Sequence, residues 1–239
     1  MPNELVYIII PTYNEKESLP LLIEEILSVC KKARINEKIL IIDDNSPDGT
    51  GEIARALQKK YASIYTYNRK SKKGLGSAYR FGFSKALQEN AAFIFEIDAD
   101  LSHNPRSIPR FLRAMQENDL VLGSRYIPHA SVKNWNTVRQ CISRAGIYYA
   151  RKVLDIPFTD LTTGFRCIRA SKLRTIDLAS IQTEGYGFQI ELVHLFHQKN
   201  LRIAEIPITF IERRSGKSKF SKQIAFEAFK KVIELRKNI

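Results

Sequence analysis

Four short strand-like runs set the frame of this chain: residues 5–10, 38–42, 64–67 and 93–97. The stretches between them carry apolar residues at helical spacing. Leu19, Leu22, Ile23, Ile26, Leu27 and Cys30 mark the first helix, and residues 53–60 and 78–88 give two more. A further helix runs through Ile108, Phe111, Leu112 and Met115, and residues 120–122 form another strand. Strands alternating with helices over short connections imply a mostly parallel sheet with helices on both faces. Beyond Gly123 the pattern changes. Residues 135–154 read as a long amphipathic helix, 165–169 as a strand and 187–198 as a helix. Residues 203–211 form a strand interrupted by Pro207, which suggests an edge or a bulge. A basic, serine-rich loop at 213–221 leads to a last helix at 223–237.

Ligands of open α/β sheets bind beyond the carboxyl ends of the strands. There the run Phe93-Ile94-Phe95-Glu96-Ile97-Asp98-Ala99-Asp100 ends in two carboxylates. Being two apart, Asp98 and Asp100 project the same way if the backbone is still extended. They repel each other unless something positive lies between them. A hard cation such as Mg²⁺ or Mn²⁺ prefers oxygen ligands and bridges carboxylates to phosphate. The ordinary alternative is a solvated turn and a helix cap ahead of Pro105. The second strand also ends in carboxylates, Asp43 and Asp44, followed by the turn-rich Asn45-Ser46-Pro47-Asp48-Gly49-Thr50.

The formal net charge of +13 implies an anionic partner: nucleic acid, an anionic membrane or phosphorylated small molecules. Its distribution favours phosphate. Arg125 follows a strand directly, Arg139, Arg144 and Arg151 lie on the long helix, and Arg213, Arg214, Lys217 and Lys219 crowd one loop. Arginine forks suit phosphate oxygens. No nucleic-acid-binding motif is recognisable. Gly74-Leu75-Gly76 lacks the third glycine of a dinucleotide fingerprint, since Tyr79 stands there, and reads as a loop capping a helix. His103, His129, His194 and His197 show no ligand spacing with the cysteines, and His194 and His197 read as surface or packing residues. Cys30, Cys141 and Cys167 are far apart and odd in number, which fits a reducing compartment. No run approaches the roughly 18 apolar residues of a membrane span, and the N-terminus lacks a secretory signal. The expectation is a protein that is soluble or attached to a membrane surface.

Seven segments occur here in the order seen in dolichol-phosphate mannose synthases: Pro11-Thr12-Tyr13-Asn14-Glu15, Asp43-Asp44-Asn45-Ser46-Pro47-Asp48-Gly49-Thr50, Gly74-Leu75-Gly76, Asp98-Ala99-Asp100-Leu101-Ser102-His103, Gly123-Ser124-Arg125-Tyr126, Asp160-Leu161-Thr162-Thr163-Gly164-Phe165-Arg166 and Gly216-Lys217-Ser218-Lys219. The chain resembles these inverting family-two glycosyltransferases over nearly its whole length. The resemblance implies an α/β fold of the GT-A type, Rossmann-like, with a mostly parallel sheet and helices on both faces. It implies a catalytic domain over 1–220. Residues 221–239 would be a basic amphipathic helix, either part of that domain or a contact for a membrane or partner.

The implied reaction moves mannose from GDP-mannose to dolichyl or another polyprenyl phosphate with inversion, using Mg²⁺ or Mn²⁺. Pro11, Tyr13 and Glu15 match the loop that holds the nucleoside, and Ile42 and Asp44 match contacts to base or ribose. Asp98, Ala99 and Asp100 match the segment that binds the metal and the donor diphosphate, with Asp98 and Asp100 as metal ligands. Arg125, Arg213 and Lys219 match positions that bind donor or acceptor phosphates. Arg139 and Ser143 match a helix position near the lipid phosphate. Asp100, Arg125 and Arg213 would carry the transfer. Some relatives have Gln where Ser102 stands, which leaves the third protein ligand open. The resemblance also implies action at the cytoplasmic face of a membrane. Many bacterial relatives continue into transmembrane helices. This sequence stops at Ile239, so attachment is expected from its own surface or from a small membrane-anchored partner subunit. Two alternatives stand beside this reading: UDP-glucose as donor, and a nucleic-acid-binding protein.

Overall fold

Val6, Ile8 and Ile10 face one side of the first strand and Tyr7 and Ile9 the other, all at 3% exposure or less. A strand buried on both faces must lie inside a sheet covered twice. The computed structural model describes residues 4–181, 183–212 and 222–237, the last stretch with side chains from Phe229 to Arg236. Through β5 the chain alternates: β1 (Leu5–Thr12), α1 (Ser18–Ala33), β2 (Asn36–Asp43), α2 (Thr50–Lys60), β3 (Ile64–Asn68), α3 (Leu75–Gln88), β4 (Phe93–Glu96), α4 (Ile108–Ala114) and β5 (Leu120–Ser124). Then follow β6 (Ser131–Lys133), α5 (Thr137–Leu154), β7 (Arg166–Arg169), α6 (Ala170–Leu173), α7 (Gly185–Gln198), β8 (Ile203–Pro207), β9 (Thr209–Ile211) and α8 (Lys222–Lys237).

Seven strands form one sheet in the order β3-β2-β1-β4-β7-β5-β8. β7 runs antiparallel to both β4 and β5, and the other pairings are parallel. Alternation of side chains divides the core in two. Val6, Ile8 and Ile10 join Leu22, Ile26 and Phe111 from α1 and α4 on one face. Tyr7 and Ile9 join Phe83, Phe188 and Phe196 from α3 and α7 on the other. α8 lies on α7 and α5 and buries Val232 and Leu235 there. No helix among the described residues is long and apolar enough to cross a membrane.

Three details differ from the sequence reading. β4 stops at Glu96, and Asp98 and Asp100 lie in a following turn where Leu101 takes φ 60°. Strand alternation therefore does not orient these two carboxylates; the loop does. The run at 203–211 is two strands. β8 is the edge strand, as Pro207 suggested, and after it the chain leaves the sheet to pair β9 with β6. β6 escaped notice because three residues of mixed polarity carry no period.

Candidate active site

The first and second loops are bolted together at the carboxyl edge of β1 and β2. Asp43 accepts from the Thr12 hydroxyl (3.0 Å) and the Ser46 backbone N–H (3.0 Å). The Asn14 backbone donates to Ser46 Oγ, the Glu15 backbone to Thr50 Oγ1 and the Lys16 backbone to Asp48 Oδ2. The Glu15 carboxylate accepts from Ser18 Oγ. Pro11 pairs with Ile42 in the β1–β2 register, Ile42 is buried in the core, and the Lys72 ammonium lies 3.8 Å from the Tyr13 ring centre. Asp44 sits deeper and accepts from Arg69 Nη1 and from the backbone N–H groups of Lys73 and Gly74, at 2.9–3.1 Å. Its carboxylate fixes the glycine loop to the end of β2.

That loop is a packing device. Gly74 takes φ 93°, and a Cβ on Gly76 would lie 2.4 Å from the Thr183 carbonyl oxygen. The close approach lets the Glu184 carboxylate accept from the Ser77 backbone N–H (3.0 Å) and from Arg80 (3.1 Å). An acidic side chain thereby occupies the positive end of α3. Partial burial, the largest influence on Glu184, raises its pKa, against the pull of Arg80. The cap expected from the incomplete fingerprint is what the fold contains.

The carboxylate turn is held from three sides. Asp98 Oδ2 lies 3.2 Å from His103 Nε2. Gly164 passes so close that a Cβ there would sit 2.7 Å from the same oxygen. Asp100 Oδ1 accepts from the Ser102 backbone N–H (3.1 Å). His103 is 3% exposed and wedged between the rings of Phe165 and Phe210. Below the turn, Glu96 is wholly buried and accepts from Gln189 Nε2. Burial pushes its carboxyl up to about 7, although Arg166 and Gln189 favour the ionised form. Arg166 is equally buried and donates to the carbonyls of Leu161, Thr163 and Gln189.

Arg125 begins the other half of the site. Its fork grips Asp160 through Nε (2.7 Å) and Nη2 (2.8 Å), and Nη2 also donates to Thr162 Oγ1. Asp160 in turn is set by Glu205 of β8, which accepts from the backbone N–H groups of Thr159 and Asp160. Phe210 of β9 joins the two halves: its ring lies 5.4 Å from the Arg125 guanidinium and 5.4 Å from the His103 ring. Arg139 pairs with Glu212 and stacks on Trp135, while the Ser143 hydroxyl meets the Tyr126 hydroxyl at 2.8 Å. Arg125, Arg139 and Ser143 close one end of a groove of about 450 Å³, whose walls are Ile142, Tyr149 and Ala150 of α5, Ile190 of α7, and Phe229 and Val232 of α8.

Residues 7–177 match the family model described as glycosyl transferase family 2. The chain belongs to this family. This glycosyltransferase is 44% identical over 223 residues to an undecaprenyl-phosphate mannosyltransferase of Micrococcus luteus, covering 93% of this chain and 90% of that protein. It is 39% identical over 235 residues to a polyprenol monophosphomannose synthase of Mycolicibacterium smegmatis, covering 98% of this chain and 87% of that one. Among solved structures it is similar to glucosyl-3-phosphoglycerate synthase of Mycobacterium tuberculosis, a complex with Mn²⁺, UDP-glucose and phosphoglyceric acid. The TM-score is 0.72 at 16% identity, over 98% of this chain and 80% of that one. The fold is of the GT-A type.

Of the residues singled out in the sequence, Asp98, Ala99 and Asp100 lie in the turn after β4, Arg125, Arg139 and Ser143 line the α5 groove, and Pro11, Tyr13, Glu15 and Asp44 stand at the ends of β1 and β2, where Ile42 is a core residue. Arg213 and Lys219 lie outside the described residues. Sequence reasoning assigned no role to His103, Tyr126, Asp160, Glu184, Glu205, Phe210 and Glu212. His103, Tyr126 and Asp160 at least stood in segments that carried the resemblance. Among the described residues no third His, Cys, Asp or Glu joins Asp98 and Asp100 in a metal-holding cluster.

Proposed function

We propose that this glycosyltransferase moves mannose from GDP-mannose to a polyprenyl phosphate, such as dolichyl phosphate, with inversion at the anomeric carbon. The observation that carries this reading is the groove along α5. It is apolar over most of its length and ends at two arginines and a serine, one aromatic ring from the carboxylate turn. A lipid tail with a phosphate head has that shape, and its phosphate would share the two arginines with Asp160 and Glu212, their partners in the structure. The names of the two similar proteins, at 44% and 39% identity, support the same pairing of mannose with a polyprenyl phosphate.

The acceptor explains why no general base is conspicuous. A phosphate monoester has a second pKa near ~6 and is mostly a dianion at neutral pH. Its oxygen attacks the mannose anomeric carbon. The bond from that carbon to the diphosphate oxygen breaks, and GDP leaves with the electron pair. Arg139 and Ser143 orient the acceptor phosphate, and Arg125 keeps positive charge between the two phosphates. Arg213 and Lys219 supply further phosphate contacts. Pro11, Tyr13, Glu15, Ile42 and Asp44 form the nucleoside side. Asp98 and Asp100 would hold a hard divalent cation such as Mg²⁺ or Mn²⁺, which prefers carboxylate oxygens. Such an ion, when bound, offsets charge on the departing diphosphate.

Residues 1–220 and α8 then act as one catalytic domain, since α8 walls the groove. Val138, Ile142 and Phe229 line the groove and are exposed, as are Tyr148 and Ile233 elsewhere on α5 and α8, with Arg144, Arg151, Lys152 and Arg236 nearby in sequence. An apolar rim with basic neighbours suits the anionic cytoplasmic face of a membrane, either directly or together with a small membrane-anchored partner subunit. The test is a donor panel. With polyprenyl phosphate and Mn²⁺, radiolabel is expected in the organic phase from GDP-mannose and to vanish in excess chelator. Faster transfer from UDP-glucose, or label that persists without metal, contradicts the reading.

A further inference from the structure

A glycine in the middle of an 18-residue helix calls for a reason, because glycine weakens a helix interior relative to alanine. Gly146 stands in α5 between two full turns on either side. Packing among the described residues does not account for it. A Cβ on Gly76 would strike the Thr183 carbonyl, one on Gly82 would strike Ile9 and one on Gly123 would strike Phe111, whereas among the described residues one on Gly146 would meet nothing within 4 Å. Backbone conformation does not account for it either, since Gly146 is not among the positive-φ glycines.

What Gly146 does is line the groove. It shares one face of α5 with Arg139, Ile142, Ser143, Tyr149 and Ala150, which follow at three- and four-residue steps. At 1.5 Å per residue it lies about 4 Å along the axis from Ser143 and about 10 Å from Arg139. A phosphate held at Arg139 and Ser143 therefore lays the first units of its tail across the bare Cα. The tail of a polyprenyl phosphate is not a simple alkyl chain. Each isoprenyl unit carries a methyl branch, so the chain is wider than a linear one at regular intervals.

We propose that Gly146 is a specificity-determining position for the acceptor, its missing side chain giving the groove the width that a methyl-branched isoprenyl chain needs. This rests on the groove being the acceptor site. A linear alkyl phosphate of equal length needs less width, so a side chain at 146 discriminates against the branched tail.

The experiment compares farnesyl phosphate with dodecyl phosphate, which share a 12-carbon main chain (about 12 carbons long in each) and differ in branching. Binding is measured by calorimetry to wild type, Gly146→Ala and Gly146→Leu. Gly146→Leu is expected to weaken farnesyl phosphate at least about tenfold while changing dodecyl phosphate far less. Gly146→Ala is expected to unfold at a higher temperature than wild type yet bind farnesyl phosphate more weakly, a combination that a purely structural glycine does not produce. Folded Gly146→Leu that binds farnesyl phosphate as wild type does overturns the proposal, and so does equal loss of both ligands. Wild type that transfers mannose to polyprenyl phosphate while the variants match it in affinity and turnover sinks the glycine's role alone. Wild type that binds neither phosphate overturns the functional reading and the proposal with it.

Discussion

Arg125 and Asp160 bury opposite charges, at 7% and 0% exposure, that lie 35 residues apart in the chain. Removing one partner leaves the other charge in the interior, which costs about 3–5 kcal/mol. Asp160→Ala is expected to lose stability on that scale in urea unfolding; a loss below about 1 kcal/mol would mean that solvent screens the pair. The arginine was legible because it follows a strand directly. Its partner was not, because the pairing exists only once residues 159–166 are folded, with Glu205 holding that loop from β8 and Arg166 bracing it at the start of β7. Asp43 and Asp44 likewise look equivalent in sequence. The fold separates them: one ties the two rim loops together and the other holds the glycine loop.

At the scale of elements, periodicity was a sound guide wherever a helix has one buried face. Leu19, Leu22, Ile23, Ile26 and Cys30 all turn inward from α1. It said less about α5, which read only as a long amphipathic helix. Only Ile147, Ala150 and Leu154 of α5 are buried, and its first half turns Val138 and Ile142 outward beside the groove. α7 is buried nearly all round, which blurs its period and hides His194 at 2% exposure. Burial, with help from His197, lowers the His194 pKa below its usual 6.5, so the fold favours the neutral ring. A depressed folded pKa contributes stability above the unfolded value that is lost as pH falls through the folded one. His194→Gln is therefore expected to flatten the fall in urea midpoint between roughly pH 7.5 and pH 5. An unchanged slope would show that the ring is already solvated.

Across the whole molecule, a charge of +13 is a statement about partners and association, not about fold. The alternation of strands and helices made the sheet legible, but the antiparallel insertion of β7 was not, since four residues carry no mark of their neighbours' direction. The same wide view predicts how the molecule meets lipid. Tyr148→Glu with Ile233→Glu, both at exposed positions (61% and 39%), should leave the fold intact and reduce co-sedimentation with anionic vesicles at low salt. Equal sedimentation would move the contact to another face. On the proposed function, a lipid phosphate seated at Arg139 is the nucleophile. This is tested by the rate at which radiolabelled mannose from GDP-mannose enters the organic phase with polyprenyl phosphate, with unphosphorylated polyprenol, and in Arg139→Gln. Transfer to the phosphate alone is expected, with an acceptor KM raised by about tenfold or more in the variant, the cost of a lost charge-assisted contact. Equal transfer to the alcohol, or an acceptor KM untouched by Arg139→Gln, would contradict it.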